Sequence, residues 1–167
     1  CAGYVTALCG KWYVGRSHRR PSSCDYHFGL PFGQGAHNVP YTYLHNDEFV
    51  RLEGNKSAHI TDNALDFLDS LDSPDAPGNG QPFFLNVGYI VTHAPYGQQH
   101  HDPAVTGLYQ DATFADIPPF NSHPWAKNED GPGDSPPLQA LRDRYIRYYA
   151  AVTEIDRNVA RIPARPA

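Results

Sequence analysis

The stretch PFFLNVGYIV, residues 82–91, constrains the fold of this chain more than any other. It is short and nearly continuous in apolar residues. The breaker-rich run DSPDAPGNGQP precedes it and Pro95 follows it. That pattern predicts a strand buried on both faces, as in a parallel sheet covered by helices. Helical patterns flank it on both sides. In HITDNALDFLDSLD, Ile60, Ala64, Leu65, Leu68 and Leu71 fall on one face. Thr61 is placed to cap that helix, and Asp62 suits the positive end of its dipole. The clearest helix is LQALRDRYIRYYAAVTEIDRNVARI, with an apolar stripe of Leu138, Leu141, Tyr145, Tyr149, Val152, Ile155, Val159 and Ile162. Pro136 and Pro137 stand at its start, where proline is tolerated.

A second short apolar run, Val5 to Cys9, reads as another buried strand. From Gly10 to about Asn55, glycines, prolines, histidines and aromatics recur without period. That region predicts mostly loop, with a short extended piece at Phe49–Leu52. From Thr92 to Pro137 the chain is again loop-like, with Pro-rich knots in DIPPF and GPGDSPP. Long loops inside a compact domain usually carry function, so Asp116 to Pro137 is a candidate pocket rim. The order strand, loop, helix, strand, loop, helix predicts an α/β fold, a mostly parallel sheet flanked by helices. In such sheets ligands bind beyond the carboxyl ends of the strands. Lys11 follows the first strand and His93 follows the second.

Charge and composition exclude several classes. A net charge of -5 argues against a general nucleic-acid binder. No apolar run reaches the length that spans a membrane. The first residues lack the basic flank and apolar core of a secretory leader. The chain has no methionine, and Cys1-Ala2-Gly3-Tyr4 reads as the end of a helix or a turn, so an internal fragment is expected. The three cysteines, Cys1, Cys9 and Cys24, show no zinc spacing, and Cys9 reads as a small buried hydrophobe. Asn55-Lys56-Ser57 is a glycosylation triplet of a kind that also arises by chance.

The candidate chemistry is sparse. Lys11 is a point charge with three donors, able to hold a sulfate, phosphate or carboxylate; a lysine lying on Trp12 is the structural alternative. His93 can donate to an anionic oxygen or protonate a leaving group; a histidine bonded to a backbone carbonyl is its alternative. His100-His101-Asp102 makes a poor metal site, because adjacent histidines diverge, and a solvated loop is expected. Arg16, His18, Arg19 and Arg20 could steer an acidic substrate, or simply be solvated. Asp62-Asn63 is better explained by capping than by a cation. No serine elbow, phosphate loop or dinucleotide fingerprint is present.

Three stretches together resemble one family, the sulfatases. GYVTALCGKWYVG is similar to the sulfatase segment G-Y-x-T-x-x-x-G-K-W-H-x-G, through Gly3, Tyr4, Thr6, Gly10, Lys11, Trp12 and Gly15. PFFLNVGYIVTHAPY resembles the family's strand ending in histidine, and RYYAAVTEIDRNVARI its helix Y-Y-A-x-V-x-x-x-D-x-x-V-G-R. DYHFGLPFGQ resembles its phenylalanine-glycine loop. The resemblance implies residues 1–167 of an alkaline-phosphatase-like catalytic domain, lacking the N-terminal nucleophile segment and the C-terminal metal-ligand segment. It implies a parent that cleaves small-molecule or saccharide sulfate esters with a formylglycine nucleophile. A calcium ion would serve the full-length parent, with no metal ligand and no bound cofactor in this chain. Lys11 and His93 would be catalytic and substrate-binding, with Tyr13 a further substrate contact where the family has histidine. Gly33 stands where many members carry serine. A secreted, periplasmic or lysosomal parent is implied, while this chain alone is expected to be inactive. The rivals are a pseudoenzyme that binds sulfated ligands and a related phosphohydrolase.

Overall fold

The computed structural model describes residues 3–12, 18–32, 38–75, 78–94, 97, 100–115 and 138–164. Five strands form one sheet: β1 (Val5–Gly10), β2 (Tyr26–Gly29), β3 (Tyr41–His45), β4 (Glu48–Leu52) and β5 (Phe83–Gly88). Helix α1 (Lys56–Asp72) links β4 to β5, and α2 (Pro103–Gly107) and α3 (Leu138–Arg161) follow. The strand order is β4-β3-β2-β1-β5. β1 runs parallel to both β2 and β5, while β2–β3 and β3–β4 are antiparallel. The sheet is therefore mixed, with its parallel part around β1.

The region expected to be mostly loop holds three strands, and the extended piece expected at Phe49–Leu52 is part of β4. β2 is anchored by Thr6 of β1. The Asp25 carboxylate accepts from the Thr6 N–H (2.8 Å) and hydroxyl (2.9 Å), and the Asp25 N–H donates to the Thr6 carbonyl (2.8 Å). β3 and β4 form a hairpin whose turn holds Asn46 at φ 53°. Asparagine tolerates that left-handed conformation, and its side-chain oxygen also accepts from the His27 N–H at 3.0 Å. Aromatic rings knit this half of the sheet. Phe28 and Tyr43 stack at 4.6 Å, and both are almost fully buried.

α1 covers one face. Cys9, Phe28, Leu30, Tyr43, Ile60, Ala64 and Ile90 form the larger core cluster; Ala7, Phe67 and Leu68 form a second. Burial pushes the Cys9 thiol up to about 12, as expected of a small buried hydrophobe. The helix begins earlier than its apolar pattern suggests. Asn55 is the cap, its side chain accepting from the N–H groups of Ser57 and Ala58. Thr61 lies inside the helix instead, bonded to the Ser57 carbonyl and to the Tyr89 hydroxyl. Asp62, in the second turn, pairs with Arg161 of α3.

Two burial patterns differ from expectation. β5 is an edge strand, and Phe83 and Phe84 are exposed, so among the described residues it is not covered on both faces. On α3 the buried positions are Ile146, Ala150, Ala151 and Glu154, while Val152 and Val159 face outward. The apolar stripe misses this face because its inward position at 154 is a carboxylate with polar partners.

Thr6 holds the Asp25 carboxyl below its ordinary pKa, by hydrogen bonds from its backbone and side chain. A depressed folded pKa means a contribution present above the unfolded value and lost as pH falls through the folded one. Asp25→Asn should therefore flatten the acid limb of stability against pH, measured by urea unfolding between pH 7 and pH 3. An unchanged acid limb would show that this contact does not hold β1 to β2.

Candidate active site

The carboxyl ends of β1 and β5 meet in register. Gly10 lies opposite Gly88, and the Lys11 N–H donates to the Gly88 carbonyl at 2.8 Å. The approach leaves no space for side chains. A Cβ on Gly10 would sit 2.0 Å from the Gly88 oxygen, and one on Gly88 would sit 2.7 Å from the Lys11 oxygen. Gly10 also takes φ +109°, a conformation that other residues rarely adopt. The two glycines thus fix the direction in which the chain leaves β1, and Lys11 is the first side chain beyond the contact. Lys11 is half-buried, and burial lowers its pKa from the ordinary value.

His93 stands beyond the end of β5. The strand stops at Gly88 rather than continuing to Val91, and a turn follows, closed by the His93 N–H donating to the Ile90 carbonyl at 3.0 Å. Ile90 and Val91 are buried, and the Val91–Thr92 peptide is cis. The Thr61–Tyr89 hydroxyl bond, 2.7 Å, ties the first residue of this segment to α1. His93 itself is exposed, with Nδ1 2.6 Å from the Ala94 carbonyl oxygen. A carbonyl only accepts, so Nδ1 carries a proton and Nε2 is the ring atom left to exchange one. Lys11 and His93 thus follow the same end of two hydrogen-bonded parallel strands.

Other candidates fare differently. Tyr13, Arg16 and Gly33 lie outside the described residues, as does the stretch Asp116 to Pro137. His18 and Arg19 are exposed. Arg20 is not simply solvated: it pairs with Asp47 at 3.1 Å and donates to the Cys24 carbonyl at 3.0 Å, binding the β1–β2 loop to the hairpin. The solvated-loop expectation for His100 and His101 is wrong, since both are buried. His101 Nδ1 lies 3.6 Å from Glu154 Oε2 on α3, and the Asp102 N–H donates to the other carboxylate oxygen at 3.1 Å. Asp102 also caps α2. Hydropathy alone hides this arrangement, because the carboxylate beside His101 comes from a distant helix.

Asn63 accepts from the Tyr26 hydroxyl and donates to the His59 carbonyl, so with Asp62 on Arg161 that pair has structural partners. Among the described residues, no three His, Cys, Asp or Glu side chains gather as a metal site. Sequence reasoning also missed Lys56, the first residue of α1, which is fully buried. Burial lowers its pKa to about 8. No periodicity marks it, because polar residues are ordinary in the first turn of a helix.

The mixed five-stranded sheet, the helix behind it and the lysine at the strand tips form part of an α/β domain. The Sulfatase family model matches residues 1–165, and the chain belongs to that family. Arylsulfatase G of Mus musculus is 29% identical over an alignment covering 56% of this chain and 24% of that protein. Its counterpart in Rattus norvegicus is 28% identical at the same coverage. The chain thus spans about a quarter of the length of these curated relatives. A structure from the glycosaminoglycan metabolism of Bacteroides thetaiotaomicron superposes with a TM-score of 0.65 at 21% identity. It covers 98% of this chain and 36% of the other. A second, described in complex with its substrate D-glucosamine-2-N,6-O-disulfate, superposes at 0.65 and 17% identity, covering 98% of this chain and 44% of the other. At these identities the two structures establish the fold. No helix among the described residues is long and apolar enough to cross a membrane.

Gly10→Ala should destabilise the protein by roughly 3 kcal/mol or more, through overpacking and backbone strain together. Gly107→Ala, where an added Cβ meets nothing within 4 Å, should be close to neutral. Urea unfolding of the two variants side by side checks the contrast, and equal effects would contradict it.

Proposed function

We propose that the crevice beyond β1 and β5 binds the sulfate group of an ester, and that the full-length protein hydrolyses that ester. The supporting observation is the register of Gly10 against Gly88, which sends Lys11 and His93 off the same end of neighbouring strands. Hydrolysis breaks the S–O bond to the leaving alcohol, and negative charge builds on the bridging oxygen. In this reading the Lys11 ammonium holds a non-bridging sulfate oxygen and offsets part of the group's negative charge, which eases approach of the nucleophile to sulfur. His93, with its Nδ1 proton directed to Ala94, uses protonated Nε2 as the acid. The proton passes to the bridging oxygen, so the products are a neutral alcohol and sulfate.

Tyr13 is proposed as a neutral donor to the same group; with a pKa of about 10 a phenol is a poor proton shuttle near neutrality. The formylglycine nucleophile would come from outside these 167 residues. A calcium ion, when bound in the full-length protein, would polarise the sulfate. Aryl and saccharide sulfates are the proposed substrates, supported by the name of the curated relatives and by the sulfated glucosamine bound to one structural neighbour. A secreted, periplasmic or lysosomal location rests on the family resemblance.

The test is the full-length protein assayed on 4-nitrophenyl sulfate and 4-nitrophenyl phosphate. Sulfate hydrolysis should dominate, and Lys11→Met should lower kcat/KM on the order of 100-fold, the usual loss for one charge-stabilising group. Dominant phosphate hydrolysis would favour the phosphohydrolase. Sulfate-ester binding without turnover would favour the pseudoenzyme.

A further inference from the structure

Lys56 stands in a position that physical chemistry disfavours twice. It is 0% exposed, and burying an ammonium is expensive unless its surroundings stabilise it. It is also the first residue of α1, at the positive end of the helix dipole, where cations are unfavourable. A structural requirement alone would be met by an uncharged side chain of similar length. The contacts around Lys56 suggest what its charge does.

Its ammonium lies 4.0 Å from the centre of the Tyr41 ring, within range of a cation–π attraction. The Tyr41 hydroxyl in turn accepts the Phe32 N–H at 3.0 Å. Phe32 belongs to the segment that leaves the carboxyl end of β2, beside Gly10 in the sheet register. His100 is buried too, and its pKa is lowered by burial first, then by His101 and by Lys56. His100 lies on the segment that leaves β5 and carries His93. His101 and Asp102 then anchor that segment to Glu154 of α3. Topology places all of this at one end of the sheet. Tyr41 pairs with Leu52, and α1 starts just after β4, so the Lys56 end of the helix lies at the carboxyl edge of β1, β2 and β5.

We infer that Lys56 is a positioning residue for the sulfate-ester crevice: its buried charge, seated on the Tyr41 ring, holds the start of the segment after β2 in place through the Tyr41–Phe32 bond. That segment leaves the strand end beside the one that Lys11 follows, so its position sets how the ester is held while charge develops on it. Lys56 acts through it and does not touch substrate. This inference rests on the sulfatase reading of the crevice.

The experiment compares Lys56→Met, Lys56→Arg, Tyr41→Phe and Lys11→Met in the full-length protein, with 4-nitrophenyl sulfate as the probe. Lys56→Met keeps the length of the stem and removes the charge. It should lower kcat about tenfold or more while KM stays within about threefold, since transition-state geometry is lost and ground-state contacts are kept. Lys56→Arg should recover most of the lost kcat. Tyr41→Phe keeps the ring, removes the bond to Phe32, and should show part of the same fall in kcat. It also carries the test if Lys56→Met does not fold. Wild-type kcat in both Lys56→Met and Tyr41→Phe overturns the inference, as does a loss in Lys56→Arg equal to that in Lys56→Met. If Lys11→Met is impaired while Lys56→Met is not, this inference alone fails. If Lys56→Met is impaired while Lys11→Met is not, the reading of the Lys11 crevice fails instead.

Discussion

The Lys11 N–H to Gly88 carbonyl bond, at 2.8 Å, joins the tips of β1 and β5, and the site depends on that closure. It requires glycine on both strands, because either added Cβ would collide with backbone. Backbone cannot yield as a flexible side chain can, so the contact is either made with two glycines or not made. Its effect reaches beyond the strand ends. Closing the tips sets where Lys11 leaves β1 and where the turn carrying His93 begins. The Thr61–Tyr89 bond then fixes that turn against α1, and buried Ile90 seats it in the main core. Lys11 and the segment that carries His93 are thereby attached to one frame.

The same frame explains the polar residues found inside. A sheet covered on one side by α1 buries apolar side chains along β1, β2 and β3, while its carboxyl end collects Lys56, His100, His101 and Glu154. Each of these is buried at the meeting of elements distant in sequence. Charges in such places tie segments together only where partners compensate the loss of water. Tyr41 offers its ring face to Lys56, and Glu154 accepts from the Asp102 backbone while lying beside His101. The first contact ties α1 to β3, and the second ties the segment before α2 to α3.

Strands with a strong apolar run were legible in the sequence, and the hairpin was not. β1 and β5 stand out because several consecutive apolar residues are bounded by breakers. β2 has only four residues, and β3 mixes tyrosine, threonine and histidine, so neither forms a run. The Asn46-Asp47 pair between YTYLH and EFVRL was the available signal, a two-residue turn of the kind that closes hairpins. The helices were legible in extent, and the face of α3 was not. Its stripe of Tyr149, Val152 and Val159 satisfies helical spacing, but Ala150 and Glu154 are what neighbouring elements cover. Small residues permit close helix approach, and a carboxylate turns inward only if something there receives it. Periodicity records neither condition.

By itself the sequence determined the class of the fold and the family, through GKW after one strand and histidine after another. Both are local patterns, and the physics that places a loop residue beyond a strand end is local too. The tertiary structure decided the burial of Lys56, His100 and His101, the anchoring roles of Arg20 and Asp25, and the edge position of β5. Each depends on which distant group supplies a partner or a cover, and desolvation is a property of the packed neighbourhood, which neighbours along the chain do not define.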